Sequence, residues 1–246
     1  MSEWEAIKVV SILYLFIVFF ASVLQAATGF GFSIIATPFL LFLFAPDVAI
    51  QVNLFVSILI SLLLFIQIRK DVYLPLIKRL VIGSVIGAPI GVILVQLINE
   101  TAIKISVGTL LLFVTLLLVL PVKMQQTNRR DLTIGGLSGT LTASIGMPGP
   151  PLLAYFAGVK MTKEQTRATT LAFFLLIYPI SIGLQWITIS INRDVWGLVG
   201  LALPAVIAGL IVGHFIFKKM NQALFRNVTY ILLLVAGVGL IIESIW

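Results

Sequence analysis

Apolar stretches follow one another along the whole of this 246-residue chain, and most are as long as the hydrocarbon core of a bilayer is thick. They cover roughly 6–27, 30–44, 48–68, 72–98 and 102–120 in the first half. In the second half they cover 132–145, 149–158, 164–189, 195–217 and 224–245. With 60% hydrophobic and 10% charged residues, water cannot be the main surroundings, and an all-α polytopic membrane protein is expected. The opening run lacks a basic leader and a cleavage-type end, and acidic Glu3 and Glu5 precede it, so it reads as a retained span rather than a signal peptide. The formal charge of +7 sits in short loops between spans, with no continuous basic stripe, which fits membrane orientation and not nucleic acid. The absence of cysteine removes disulfides, thiolate chemistry and cysteine-ligated metals.

The two halves align with a slowly drifting offset. Gly29 falls on Gly146, the segment 47–53 on 163–169, and Asp71-Val72-Tyr73 on Asp194-Val195-Trp196. Gly87 and Gly91 then meet Gly209 and Gly213, and 99–104 meets 221–226. The shared order indicates duplication: a first repeat over 1–122, a linker over 123–131 and a second repeat over 132–246.

Each repeat breaks an apolar run at the corresponding point. The breaks are Gly29-Phe30-Gly31-Phe32 and Gly146-Met147-Pro148-Gly149-Pro150-Pro151. At about 1.5 Å per helical residue, the piece 149–158 covers about half of a ~30 Å hydrocarbon core. The segment 132–158 is therefore expected to enter and leave on one side as a re-entrant hairpin. By the repeat, 6–44 does likewise, though its first arm is long enough to reach further.

Basic residues give an independent reading of topology. Arg69, Lys70, Lys78 and Arg79 cluster in one connection, Lys123, Arg129 and Arg130 in a second, Lys160, Lys163 and Arg167 in a third, and Lys218, Lys219 and Arg226 in a fourth. All four are expected to be cytoplasmic. The connections near Asn99 and Asn192, and both termini, then lie outside. Two basic clusters flank 132–158, so both are cytoplasmic only if that segment is a hairpin. The halves then form an inverted repeat, each a hairpin plus three crossings.

Irregular backbone at membrane depth is tolerated where it is buried in protein or lines a wet cavity. The glycines permit tight turns, and the prolines suit the first turn of a new helix. Each second arm therefore starts with free N–H groups and a positive dipole end, which attract anions. Gly29, Phe30, Gly31, Phe32 and Ser33 offer more donors than Gly146, Met147 and Gly149, where prolines intervene. Gln25, Thr28, Ser144, Asn53, Ser57, Thr169 and Thr170 are the candidate polar lining, Asn53, Ser57 and Ser61 recurring on one helix face. The competing reading is close helix packing at the breaks and ordinary interhelical hydrogen bonding by the polar groups.

Gly83, Gly87 and Gly91, with Ala205, Gly209 and Gly213, read as packing stripes. His214 reads as interfacial, with a proton relay as the alternative. Arg167 has two readings, headgroup contact with orientation or an anion-attracting gate. Lys104 and Arg226 read as snorkelling cations. No carboxylate lies well inside a span, so coupling by an acidic proton relay is not expected. Coupling would use a cation held by backbone carbonyls, or a weak-acid substrate carrying its own proton. No cofactor or metal is expected.

The stretches 25–40 (Gln-Ala-Ala-Thr-Gly-Phe-Gly-Phe-Ser-Ile-Ile-Ala-Thr-Pro-Phe-Leu) and 136–152 (Gly-Leu-Ser-Gly-Thr-Leu-Thr-Ala-Ser-Ile-Gly-Met-Pro-Gly-Pro-Pro-Leu) resemble the two signature segments of the TauE/SafE family. Its glycine-rich turn followed by proline is matched by Gly29, Gly31 and Pro38, then by Gly146, Gly149, Pro150 and Pro151. Asn53 and Thr169-Thr170 fall where the family places small polar residues. Phe30, Phe32 and Met147-Pro148 depart from it. The resemblance implies export of sulfite, organosulfonates or related small anions across a bacterial inner membrane. A secondary carrier working by alternating access is expected; the alternatives are an anion channel and a sensor or binding protein without flux. No Ser–His–Asp set, paired intramembrane carboxylates or metal-ligand cluster suggests an enzyme.

Overall fold

The computed structural model describes residues 3–119, 125–159, 161–219 and 222–245. Lys123, Lys160, Asn221 and the 122/123 repeat boundary lie outside the described residues. The described chain is helical throughout: α1 (Glu3–Thr28), α2 (Gly31–Leu43), α3 (Pro46–Ile68), a 3₁₀ turn (Arg69–Asp71), α4 (Leu74–Leu97), α5 (Glu100–Val119), α6 (Asn128–Ile145), α7 (Gly149–Gly158), α8 (Lys163–Thr188), α9 (Arg193–Lys219) and α10 (Gln222–Ile245). The expected spans match these helices to within a few residues at each end. Local sequence explains several starts. Pro46 and Pro75 occupy first-turn positions, Thr127 accepts from the Arg130 N–H, and Thr162 forms a capping box with Gln165.

Among the described residues, six helices are long and apolar enough to cross a membrane, within α1, α3, α4, α5, α8 and α9. The helical surfaces are inverted relative to a protein in water. Ile12, Phe16, Ile86, Trp186 and Ile187 are exposed, whereas Gln25, Ser33, Asn53, Ser57 and Ser61 are wholly buried. Lipid solvates the first set, and packing among helices encloses the second.

Packing pairs α4 with α6, α9 with α1, α10 with α5 and α3 with α8. Glycine makes the closest of these contacts possible. A Cβ on Gly83, Gly87 or Gly91 would run into the carbonyls of Leu132, Gly136 or Thr140, and one on Gly135 or Gly139 into those of Leu80 or Ser84. The Thr140 hydroxyl donates to the Gly87 carbonyl at 2.9 Å across the same seam. Because Leu80 lies by Gly135 and Gly91 by Thr140, α4 and α6 run parallel. The α9/α1 pair repeats the pattern more loosely: a Cβ on Gly209 would lie 2.7 Å from the Phe19 carbonyl, and on Gly213 2.5 Å from that of Val23. Gly108 of α5 and Gly237 of α10 each face the other's carbonyl.

Cross-helix bonds define the two ends of the bundle. At one end the Tyr73 N–H donates to Thr169 Oγ1 at 3.0 Å and Arg79 Nε to Asp131 at 2.6 Å, gathering the starts of α4, α6 and α8. At the other, Gln51 of α3 donates to the Ser190 carbonyl at 2.9 Å and accepts the Asn192 N–H at 3.0 Å, next to Asp47. This clamp holds Ser190 at φ 66°, an unusual conformation for a residue with a side chain.

Three charged residues depart from expectation. Lys104 does not simply snorkel: it pairs with Glu243 of α10 at 2.6 Å. Arg167 is only 7% exposed, which removes the headgroup-contact reading. Asp131, expected at a helix end, is fully buried there and accepts from Arg79 and from the Tyr155 hydroxyl at 2.5 Å. The last contact also fixes the course of α7, which doubles back along α6 towards that helix's start.

Gly87→Val should lower stability by about 1–3 kcal/mol or more, because backbone stands where the side chain must go. Gly200→Ala meets nothing within 4 Å and should be neutral or stabilising by up to about 1 kcal/mol. Thermal unfolding of the two variants in detergent checks the contrast.

Candidate functional site

Both breaks turn on a glycine in the left-handed region, Gly29 at φ 86° and Gly146 at φ 71°, and these are the positive-φ glycines among the described residues. Such a turn is cheap for glycine and strained for other residues. It lets α2 return along α1, where Phe44 packs its ring edge-on against Tyr14 at 5.6 Å, and α7 return along α6. The two turns face each other. Gly149 lies against Ile34 and near the Phe30 carbonyl, and the rings of Phe30 and Phe156 meet at 6.0 Å.

Each tip also rests on a helix of the opposite half. Gly146 sits on α3, where Asn53 Nδ2 donates to its carbonyl at 2.6 Å. Gly29 sits on α8, its added Cβ lying 3.1 Å from the Arg167 backbone. A ladder of carboxamides and hydroxyls joins both hairpins to α3. Gln25 Nε2 donates to Ser61 at 3.3 Å while its Oε1 accepts the Phe32 N–H at 2.9 Å. Ser57 donates to Asn53 Oδ1 at 3.4 Å.

This ladder corrects the expected donor inventory. The Gly29 N–H bonds the Gln25 carbonyl, Phe30 N–H bonds Thr28 Oγ1 at 3.2 Å, and Phe32 N–H is held by Gln25. The first N–H groups of a helix have no acceptor within it, and among the described residues no bond outside the helix takes the N–H of Gly31 or Ser33. At the second tip, Gly146 N–H and Met147 N–H bond back to α6, leaving Gly149 as the donor between prolines. Phe30, Phe32 and Met147 form apolar walls, each at most 5% exposed.

Thr169 accepts from Tyr73 at the start of α4, and Thr170 bonds back to Thr166. Further along α8, Tyr178, Ser181 and Gln185, all buried, follow at helical spacing. Gln185 donates to the Ala143 carbonyl at 3.1 Å, steadying the second tip. The Tyr178 hydroxyl lies beside Ser33 and Ser57. The spacing of this polar stripe is visible within an apolar span, and it is the signal that would have found these residues.

Several of these groups are wholly buried yet unbonded. The side-chain hydroxyls of Thr37, Ser138 and Ser181 have no hydrogen-bond partner, and those of Ser33 and Tyr178 stand beside each other without a bond of standard geometry. Each such group costs about 1–3 kcal/mol unless something satisfies it. Ser33 belongs to the open first turn of α2, so unmet donors from backbone and side chain converge there.

A cavity of about 420 Å³ opens at the bundle end that holds the Gln51 clamp. Asp47, Gln96, Asn99 and Glu100 line it with Gln51, and its lining also includes Ser144 and Gln185 beside the second tip. Among the described residues, no group of three or more histidines, cysteines or carboxylates could hold a metal ion.

Removing the Asn53 carboxamide strands the Gly146 carbonyl. Asn53→Ala should therefore cost about 1–3 kcal/mol of stability. Thr170→Ala, which loses a bond within its own helix turn, should change stability by no more than about 0.5 kcal/mol. Parallel melting curves check both.

The model of the sulfite exporter TauE/SafE family matches residues 14–240 of the chain. No curated protein and no solved structure matches it.

Proposed function

We propose that this chain, which belongs to the sulfite exporter TauE/SafE family, is a secondary carrier of small sulfur-containing or carboxylated anions. The observation that carries the reading is the facing pair of hairpin tips, with open N–H groups and unbonded hydroxyls buried between them. Residues Gln25, Thr28, Gly29, Phe30, Gly31, Phe32, Ser33, Asn53, Ser57, Ser144, Gly146, Met147 and Gly149 surround that region, and Tyr178 and Ser181 join them. Thr169 and Thr170 act in support, by fixing the start of α4 and their own helix turn.

Alternating access needs two arrangements of similar stability about one site. An inverted repeat supplies them naturally, since exchanging the conformations of the halves turns one arrangement into the other. Three features support such a repeat here. The α4/α6 contact has its counterpart in α9/α1, each break carries one positive-φ glycine, and Gly108 and Gly237 contact each other reciprocally. The cavity ending near Ser144 and Gln185 fits a state accessible from the Asn99 side. By the positive-inside reading that side is the exterior and the Arg79 end is cytoplasmic, with both hairpins re-entrant and both termini outside. Arg167, buried against the Gly29 turn, is then the gate and the attractor for anions coming from within.

In proteoliposomes, saturable counterflow of sulfite or methanesulfonate is expected, and Arg167→Gln should reduce it at least tenfold while the protein stays folded by gel filtration. Large single-channel currents would instead make the protein a channel. Ligand binding without flux would make it a sensor.

A further inference from the structure

We infer that the carboxylates of Asp47 and Glu100 make the cavity the low-affinity face of the carrier, where an anion is held weakly and released. The inference rests on the carrier reading above and adds an asymmetry between its two faces.

The cavity reaches the second hairpin. Asp47, Gln96, Asn99 and Glu100, all exposed, line its mouth, and Ser144 and Gln185, 7% and 4% exposed, lie at its floor. Gln185 donates to the Ala143 carbonyl, three residues before the Gly146 turn, so the floor is in contact with the arm that carries the tip. One Nε2 hydrogen makes that bond, and a primary amide has a second to give. The mouth has the opposite character. No Lys, Arg or His lines the cavity. Among the described residues, no ion pair joins Asp47 or Glu100 to a cation. Asp47 accepts from the Asn192 carboxamide at 3.5 Å, which leaves its charge in place.

Two uncompensated negative charges therefore stand over walls that are otherwise neutral, with Ile50, Val95 and Ile103 among them. A cleft lined by one sign of charge with low-dielectric walls focuses the field, which depletes ions of the same sign and slows their entry. The other end of the bundle carries the opposite sign. Arg69 and Lys70 close the 3₁₀ turn, Lys78 and Arg79 follow on α4, and Arg129 and Arg130 open α6. An anion is thus drawn to one end and repelled at the other. Asp47 and Glu100 also occupy the first turns of α3 and α5, where a negative charge offsets the helix dipole whether or not anything is carried. Glu164 holds the same place on α8, away from the cavity, and separates the two roles.

The test is methanesulfonate flux of the full chain in proteoliposomes, measured from each face. The faces are told apart by labelling Asn128→Cys, exposed at the basic end, with an impermeant thiol reagent. In the unsubstituted chain the cavity-face KM should be the higher of the two. Asp47→Asn combined with Glu100→Gln should lower the ratio of cavity-face to opposite-face KM about fivefold at low ionic strength. The effect should shrink as salt screens the exposed carboxylates. Glu100→Asp, which keeps the charge, and Glu164→Gln should leave the ratio unchanged. If the double variant does not fold, the unsubstituted chain gives the same reading, because added inert salt should lower its cavity-face KM. A cavity-face KM no higher than the other, a ratio that neutralisation does not move, or an equal change in Glu164→Gln overturns the inference and leaves the carrier reading standing. The absence of saturable flux from either face overturns both.

Discussion

A helix broken inside a packed bundle leaves buried peptide groups with no water to bond them, and the structure is organised around meeting that demand. Two carboxamides tie the breaks to the rest of the bundle. Gln25 reaches from α1 to cap the Phe32 N–H, and Asn53 reaches from α3 to the Gly146 carbonyl. Both are tied to one α3 stripe, through Ser61 and Ser57, so a single straight helix carries the two turns at fixed separation. The N–H groups of Gly29, Phe30, Gly146 and Met147 are satisfied within their own hairpins. Gly149 lies against Ile34 in the first turns of α2, so the two second arms begin next to each other.

Close packing supplies the second requirement. The polar tips stay buried only if the surrounding helices leave no room for lipid, and contacts between backbones through Gly83, Gly87, Gly91, Gly135 and Gly139 achieve this along α4 and α6. The α9/α1 seam is looser at Gly209 and Gly213. That difference fits a bundle in which one arm is held firmly and the other is freer to shift. At the end bearing the basic residues, Asp131 joins α4, α6 and α7 through Arg79 and Tyr155. The second hairpin is thereby anchored at its base as well as its tip.

Much of the fold was legible in the sequence because lipid removes ambiguity: long apolar runs become helices, and Gly or Pro clusters end them. The break positions at Gly29 and Gly146 and the short α7 followed from residue type alone. Side-chain direction did not. Which polar side chains of α8 lie at the tips was not evident: Tyr178 stands beside Ser33 and Gln185 donates to the Ala143 carbonyl, two turns or more beyond Thr169 and Thr170. Arg167 sits in a basic run that reads as a surface cluster, and only its contact with the Gly29 turn shows it to be internal. The burial of Asp131 has no local signal, because its partners come from α4 and α7, 52 and 24 residues away.

The chain contains no cysteine, so single cysteines can report directly on whether the space between the tips is an aqueous anion route. In a membrane-embedded Ser33→Cys protein, a small anionic methanethiosulfonate reagent should label the new thiol, and methanesulfonate should protect it. Ile86→Cys, on a surface that faces lipid, should remain unlabelled under the same conditions. A Ser33→Cys thiol that stays inert, or one that reacts at the same rate with and without methanesulfonate, would contradict an anion site between the hairpins.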